Sequence, residues 1–191
     1  MTRKEQREKR RPEILMAALD IFIHKGFTAA KTQDIANAAG ISEGLLFHYF
    51  ETKEKLYEEL VKTAMEGREL ALTGIINEGL EYFQTAAKLI FYYLKTEPYV
   101  AKMFVLAGQV KNNDTLPESV KTMMTKVDFG PSIKKIKQGQ KKGDIKEGDP
   151  AALAFAFWGA IQGIAEQVAL LPDIPIPKSE WVVDIIRKTA V

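Results

Sequence analysis

Apolar residues recur at helical spacing along most of this 191-residue chain, and this periodicity limits the available folds more than any other feature. In the first segment, Ile14, Ala18 and Phe22 lie four residues apart, which places them on one face of a helix. No segment alternates apolar and polar residues for long enough to predict a sheet. With 46% hydrophobic and 27% charged residues, the composition is that of a globular protein. The sequence therefore predicts an all-α fold with a substantial core.

Glycine and proline divide the periodic segments into successive helices. We expect the first helix to have Pro12 in its first turn and to end at Gly26. Thr32 and Ser42 are suitable N-caps for the next two helices, and Pro131 is placed to kink or divide a later one. After a longer helix that begins near residue 52, further helices are expected near residues 75–95, 98–111, 117–142, 150–171 and 179–190.

The composition also excludes several kinds of chemistry. There is no cysteine, which removes disulfides, thiol nucleophiles and cysteine metal sites. The two histidines, His24 and His48, are too few for a histidine metal site or a histidine-based triad. We therefore expect no metal and no cofactor. Residues 1–12 contain six Lys or Arg and no apolar run, which does not fit a signal peptide and predicts a cytoplasmic protein.

Positive charge is concentrated at the N-terminus. Residues 1–11 contain six Lys or Arg against two Glu. Residues 1–9, called the basic arm below, suit a phosphate backbone or an anionic membrane surface, and equally a solvated tail. Residues 1–60 as a whole contain ten basic and ten acidic residues. Affinity for nucleic acid would therefore depend on the basic arm, on helix N-termini and on neutral hydrogen bonds.

Residues 31–50 have the spacing of a helix-turn-helix motif. Ala36 is small where the two helices would cross, and Gly40, four residues later, suits a tight turn. The apolar residues spaced for burial between the helices are Ile35, Ile41 and Leu46. The same pattern also fits an ordinary helical hairpin in an all-α core.

More than a dozen positions in residues 10–60 carry a family resemblance. They are Gly26-Phe27-Thr28, Thr32, Ile35-Ala36, Ala39-Gly40-Ile41-Ser42, Gly44, Leu46-Phe47-His48-Tyr49-Phe50 and Thr52-Lys53-Glu54-Lys55-Leu56. This segment resembles the TetR (tetracycline-repressor-like) transcriptional regulators. The resemblance implies a helical DNA-binding domain at residues 10–56 that follows the basic arm. It also implies a helical ligand-binding and dimerisation domain at residues 57–191, and a homodimer.

The family's DNA contacts carry over to nine positions: Thr32, Ser42, Glu43, Gly44, Leu45, Phe47, His48, Tyr49 and Lys53. Among these, Thr32 and Lys53 resemble phosphate contacts. Glu43 is either an acceptor for a cytosine amino group or simply solvated. Leu45 occupies a site commonly held by a small or hydroxyl residue, and Phe47 stands where tyrosine is commonest. A phenolic phosphate contact is thereby lost, which leaves Phe47 as a contact to a thymine methyl group or as core.

The segment 151–165 is apolar on nearly every face, so its helix is buried all round or crosses a membrane. The 21 residues between Pro150 and Pro172 are enough to span a bilayer. Gln162 and Glu166 would be costly in lipid, however, which favours a subunit interface and no membrane. With the helix at 179–190 it would form a four-helix bundle across the dimer, the usual interface of the family. The interface candidates are Ala156, Gly159, Ala160, Gly163, Trp181 and Ile185.

An effector pocket is expected among the helices between residues 56 and 171. Candidate lining residues, each of which also fits a plain core, are Phe91, Tyr92, Tyr99, Met103, Phe104, Met123, Trp158, Gln162 and Glu166. Methionine and aromatic side chains suit an adaptable apolar cavity. Glu166 is either a buried charged handle for the effector or a contact across the dimer.

These observations favour a DNA-binding regulator over two alternatives. We expect a repressor that leaves a palindromic operator in double-stranded DNA when a small apolar or amphipathic effector binds. One alternative is a helical ligand-binding enzyme, although no paired carboxylates, Gly-rich phosphate loop or nucleophile–base pair supports it, and we expect no enzyme. The other is a peripheral membrane protein that uses the basic arm and the apolar helix.

Overall fold

The computed structural model describes residues 3–111, 113, 115–125, 128–171 and 173–189. For residues 3–9, 68, 111, 124 and 125 it describes the backbone alone. The described residues form ten helices: α1 (Arg3–Ala29), α2 (Thr32–Ala38), α3 (Glu43–Tyr49), α4 (Lys53–Thr73), α5 (Leu80–Thr96), α6 (Pro98–Lys111), α7 (Glu118–Thr125), α8 (Gly130–Lys142), α9 (Pro150–Leu170) and α10 (Ser179–Val183). One isolated antiparallel bridge joins Ile145 to Arg187, and no strand is formed within these ranges. The expected all-α fold is confirmed.

Several helix ends differ from the expected ones. Helix α1 begins at Arg3, so Pro12 lies inside it and the backbone of residues 3–9 is helical. The Arg, Lys, Glu and Gln residues of this segment are good helix formers, which accounts for the extension. Gly26 interrupts α1 as expected, with φ 74° and ψ 164°. The N-cap of α2 is Lys31 rather than Thr32, which is the first helical residue.

The C-terminal helices also end and begin elsewhere. Helix α10 ends at Val183 instead of continuing to residue 190. The amide of Lys146 donates to the carbonyl of Ile186, and the amide of Lys188 donates to that of Asp144, both over 3.0 Å. These bonds hold the chain in an extended pairing that replaces the last helical turns. Pro131 lies in the first turn of α8, so the segment 117–142 is divided into two helices.

The chain forms two compact units. The first contains residues 1–65 and 102–126, and the second contains residues 66–101 and 127–191. Helices α4 and α6 each have residues in both units. The first unit thus includes 102–126, which the expected division at residue 56 assigned to the ligand-binding domain. The functional boundary at residue 56 stays a prediction.

The first unit has an aromatic centre. Tyr57 packs edge-on against Phe22 with ring centroids 4.8 Å apart, and 4.9 Å from Phe27. Polar contacts attach the later segment to α1 and α4. The Lys102 ammonium pairs with Asp20, and Gln109 donates to the carbonyl of Ile23 over 2.8 Å. In addition, Thr115 is hydrogen-bonded to Thr28 over 3.0 Å, and Ser119 donates to Glu58. These bonds make residues 102–126 an integral part of the unit.

The second unit is built around α5, which packs against α8, α9 and α10. The ring of Phe157 lies 4.9 Å from Phe83 and 5.0 Å from Trp158, edge to face in both cases. The indole of Trp158 donates to the buried hydroxyl of Ser132 over 2.9 Å. This unit therefore has its own apolar core.

Helix α9 is buried on one side rather than all round. Its buried residues are Ala154, Phe157, Trp158, Ile161 and Ala165. On the opposite side Phe155 is 73% exposed, and Gly159 and Gly163 are exposed too. By length and composition, α9 is the one helix in the described part of the chain that could cross a bilayer. A half-buried apolar core helix satisfies the same criterion.

Candidate nucleic-acid interface

Helices α2 and α3 form a helix-turn-helix. The turn contains Gly40, whose φ of 64° lies in the left-handed region. It is closed by the amide of Ile41, which donates to the carbonyl of Ala36 over 3.0 Å. Ala36 and Ile35 are completely buried, and Leu46 of α3 is 1% exposed. The expected burial of Ile35, Ala36 and Leu46 is confirmed, whereas Ile41, at the end of the turn, is only half-buried.

Helix α3 is capped and has an exposed face. The hydroxyl of Ser42 accepts a hydrogen bond from the amide of Leu45 over 3.2 Å, which confirms Ser42 as the N-cap. Leu45 is 40% exposed and Phe47 is 43% exposed, so Phe47 does not belong to the core. His48 is also exposed, and Tyr49 is half-buried. A buried Leu46 therefore anchors a short helix whose other side faces solvent.

A hydroxyl and a carboxylate meet where α2 and α3 begin. The hydroxyl of Thr32 donates to Oε1 of Glu43. Both side chains border an open concavity of about 460 Å³, lined by Thr28, Ala30, Lys31, Thr32, Gln33, Glu43 and Lys53. Nearby, a hydrogen bond and ion pair with Lys25 over 2.8 Å lowers the pKa of Asp34 below its usual range. The carboxylates of Glu43 and Asp34 thus each accept a hydrogen bond from a neighbouring side chain.

Lys53 is attached to the end of α1. Its ammonium donates to the carbonyls of Phe27 (2.9 Å) and Ala30 (3.1 Å) and lies 4.6 Å from the Phe27 ring centroid. An ammonium group has three protons, so one remains for another acceptor. The side chain therefore fastens α1 to the start of α4 while one donor stays available at the concavity.

Arg11 joins α1 to α4 and to the end of α3, a contact that the sequence does not predict. Its Nε donates to Glu59 over 2.8 Å, and its Nη2 also pairs with Glu59. Its Nη1 donates to the carbonyl of Tyr49 over 2.8 Å, at the end of α3. The guanidinium carbon lies 4.3 Å from the Phe50 ring centroid. Spacing gives no signal for this contact, because it joins residues 38 and 48 positions apart.

The expected effector residues are divided between the two units. Phe91 is buried, whereas Tyr92 is 60% exposed and Tyr99 is 40% exposed. Met103, Phe104 and Met123 are half-buried in the first unit; Trp158, Gln162 and Glu166 are in the second. Gln162 donates to the Glu166 carboxylate over 2.6 Å. The pocket assignment stays a prediction.

The expected interface residues lie along the uncovered side of α9 and on the chain from α10 onward. Ala156, Gly159 and Gly163 are exposed, Ala160 and Ile185 are half-buried, and Trp181 is 61% exposed. A Cβ atom built on Gly159 or Gly163 would meet no atom within 4 Å. Nothing in the described part of this chain therefore covers that side of α9.

The described part of the chain is helical, and the second helix of its helix-turn-helix is capped and exposed. These features place the chain in the class of helix-turn-helix proteins. Residues 14–60 match the family model of the bacterial regulatory proteins of the tetR family. The similarity to this family thus lies in the segment that contains the helix-turn-helix.

Two curated relatives and one solved structure show how far the similarity extends. The transcriptional repressor KstR2 of Rhodococcus jostii (strain RHA1) is 33% identical over 81 residues, 42% of this chain and 40% of that protein. The transcriptional regulator RutR of Escherichia coli (strain K12) is 29% identical over 161 residues, 80% of this chain and 72% of that protein. The structure of AibR in complex with isovaleryl coenzyme A and operator DNA superposes with a TM-score of 0.69. It is 18% identical and covers 92% of this chain and 94% of that one. The match to KstR2 thus spans less than half of that relative, and the likeness to AibR shows the fold.

Proposed function

We propose that this protein is a DNA-binding transcription regulator, most simply a repressor, whose operator affinity is controlled by a small-molecule effector. The observation that carries the proposal is the exposed face of α3, held on a buried helix-turn-helix and capped by Ser42. The relatives KstR2 and RutR, a repressor and a regulator of transcription, support it. A regulator of this kind needs no catalytic group and acts in the cytoplasm, where the DNA is.

The DNA-facing surface consists of the nine positions named from the sequence. The first turn of α3, with Glu43, Gly44 and Leu45, enters the major groove. A Cβ atom on Gly44 would meet nothing within 4 Å, so this turn leaves room for a base edge. Phe47 supplies an exposed apolar surface for a thymine methyl group. The remaining donor of Lys53 is available to a phosphate.

The uncovered side of α9 forms the subunit interface of a homodimer. An exposed apolar strip with two glycines permits close approach of the same helix from a second chain. Two subunits then present two copies of α3 to one face of the duplex. Operators for such dimers are pseudo-palindromes with half-site centres roughly 34–36 Å apart or a multiple of that.

Regulation follows from a two-state equilibrium. A small apolar or amphipathic effector that binds the non-DNA-binding state more tightly shifts the population and releases the operator. Helix α4 is the natural lever, since it begins with Lys53 at the DNA-facing surface and continues into the second unit. The AibR structure contains both an acyl coenzyme A and operator DNA, which supports a small-molecule effector of this general type.

Selection of bound duplexes from a random library tests the proposal. We expect enrichment of a two-fold symmetric sequence, followed by tight, salt-dependent binding in titrations. Enrichment of no symmetric sequence would contradict it. Flotation with anionic liposomes separates the membrane alternative, since a regulator of this kind stays with the soluble fraction while a peripheral membrane protein floats.

A further inference from the structure

Glu43 is an unusual group to find at a surface that meets DNA. It lies in the first turn of α3, half-buried, with one carboxylate oxygen accepting from Thr32. Among the described residues no Lys or Arg forms an ion pair with it. A carboxylate near phosphates is repelled unless it finds a donor or nearby cations. Lys31 and Lys53 line the same concavity and reduce that repulsion.

The hydroxyl of Thr32 has a single proton. Because that proton is donated to Glu43, the hydroxyl has none left for a phosphate oxygen, which only accepts hydrogen bonds. The phosphate contact that the family resemblance implies for the Thr32 side chain is therefore incompatible with the observed hydrogen bond. What the bond does instead is to restrict the rotamers of Glu43 before any DNA is present.

The major groove offers few donors to a carboxylate. Guanine presents two acceptors there and thymine one, so both are repelled. Adenine presents its N6 amino group beside the N7 acceptor, and a carboxylate has no proton for N7. Cytosine presents its N4 amino group with no acceptor beside it. A fixed carboxylate with one free oxygen therefore fits cytosine better than the other three bases.

We propose that Glu43 selects cytosine at one position of each operator half-site, and that Thr32 is the positioning residue that holds its carboxylate toward the base. This inference rests on the proposed DNA-binding function. It adds which base is recognised at one position, and it adds that Thr32 holds the Glu43 carboxylate that recognises it. Its chemistry predicts discrimination against the other bases on the order of tenfold, the effect of one hydrogen bond to a charged group.

The test uses the full-length protein and four variants: Glu43→Gln, Thr32→Val, Thr32→Ser and Thr28→Val. After duplex selection, each protein is titrated with paired duplexes that differ at the cytosine position, at two salt concentrations. Glu43→Gln should shift the preference toward adenine, because an amide can both accept from N6 and donate to N7. Thr32→Val should weaken the cytosine preference at unchanged salt slope, and Thr32→Ser should restore it. Thr28→Val removes a hydroxyl from the same concavity without touching Glu43 and should leave the preference intact.

Three results would overturn the inference. The first is an unchanged base preference in Glu43→Gln. The second is a uniform loss of affinity for all sequences in Thr32→Val with no change in base preference, which is the behaviour of a phosphate contact. The third is a wild-type operator without the cytosine preference, which overturns this inference alone. Failure to enrich any two-fold sequence would defeat the proposed function as well, so the two failures are distinguishable.

Discussion

At the scale of single residues, Arg11 is the clearest case of a side chain whose role depends on geometry. Its guanidinium reaches Glu59 of α4, the carbonyl of Tyr49 and the ring of Phe50 from α1. A planar fork with five donors makes these contacts at once, whereas a lysine ammonium does not. Arg11 therefore sets the end of the exposed helix although it lies next to the basic arm.

Replacing Arg11 with lysine should lower the free energy of unfolding by about 1–2 kcal/mol, because hydrogen bonds of a half-exposed guanidinium are lost. Operator affinity should fall while the salt slope stays the same, since no phosphate contact is removed. Chemical denaturation and salt-dependent titrations measure both effects. The matched control is Arg10→Lys, which affects an exposed pair with Glu13 and should leave stability almost unchanged. Equal effects from the two variants would refute the role assigned to Arg11.

Tyr57 makes the stability of the first unit sensitive to high pH. It is 1% exposed among aromatic rings, and burial raises the pKa of its phenol to about 12. An unfolded chain loses this proton near pH 10, whereas the folded chain keeps it, so the unfolded state binds fewer protons above pH 10. Stability is therefore full below pH 10 and decreases between pH 10 and 12, by up to about 3 kcal/mol. Urea unfolding at about pH 8 and about pH 11 measures the decrease in stability for the wild type and for Tyr57→Phe. The variant has no phenol at this position, so its stability should decrease less between the two pH values. Parallel pH profiles of the two proteins would contradict the assignment.

At the scale of elements, two glycines determine where the first helices end. Gly26 has φ 74° and ψ 164°, a region that residues with a Cβ atom hardly enter, and Gly40 has φ 64°. A Cβ atom at either position would meet nothing within 4 Å, so any cost of substitution is conformational. A substitution at either position therefore tests the cost of backbone strain without a change in packing.

Alanine at Gly26 should destabilise the protein by about 2–3 kcal/mol, and alanine at Gly40 by about 1–2 kcal/mol. Gly67 provides the opposite control, since it lies inside α4 without positive φ and with open space around it. Gly67→Ala should stabilise by roughly 0.5–1 kcal/mol through helix propensity. Thermal and urea unfolding measure the order of stability of the three variants. A Gly26→Ala protein as stable as wild type would show that this break in α1 is not needed.

Elements with local signals were predictable, and elements fixed by distant contacts were not. Ser42 and Gly40 act through residues at most four positions away, and the sequence placed α3 and its turn correctly. The early end of α10 depends on pairing with residues 144–146, forty positions earlier, which no local pattern reveals. In the candidate site, the buried Leu46 followed from spacing, whereas the positions of α3 that face outward came from the family resemblance, which left Phe47 as contact or core. The bonds of Thr32 and Arg11 followed from neither, because they depend on which side chains converge in three dimensions.

At the scale of the whole molecule, the uncovered side of α9 distinguishes subunit association from folding. Gly159 and Gly163 lie four residues apart on this side of the helix. Their open surroundings show that no described residue of this chain approaches them. The strip is therefore accessible to a second chain, as the proposed interface requires.

Gly163→Leu should convert the proposed dimer to a monomer with little change in the stability of the subunit, since a Cβ atom at this position meets nothing within 4 Å. Overpacking a helix seam costs on the order of 1–3 kcal/mol or more, and each subunit contributes one leucine. Light scattering and operator titration measure the result. Gly67→Leu, another exposed helical glycine with open space, should stay dimeric. A dimeric Gly163→Leu protein with full operator affinity would remove this strip from the interface.

Deletion of the basic arm should weaken binding to every DNA sequence. Residues 1–9 contain four Lys or Arg, so the slope of log affinity against log salt should fall by up to about 3.6. Titration over a range of salt concentrations measures the slope for the deletion. Changing Lys134, Lys137 and Lys141 of α8 to glutamine removes exposed cations from the second unit and is expected to leave the slope unchanged. An unaltered slope in the deletion variant would show that the arm does not contact phosphates.

The discontinuous first unit has a consequence for how the chain is made and how it evolves. Residues 1–65 leave the ribosome first. The residues that attach 102–126 to them follow only after 36 residues of the other unit. They are Lys102, Gln109, Thr115 and Ser119. Helices α1 and α4 therefore complete their packing late in synthesis. Recombination at residue 65 would separate these helices from the four side chains that attach residues 102–126 to them. A fragment that keeps these contacts has to include the segment from Lys102 to Ser119 as well as residues 1–65.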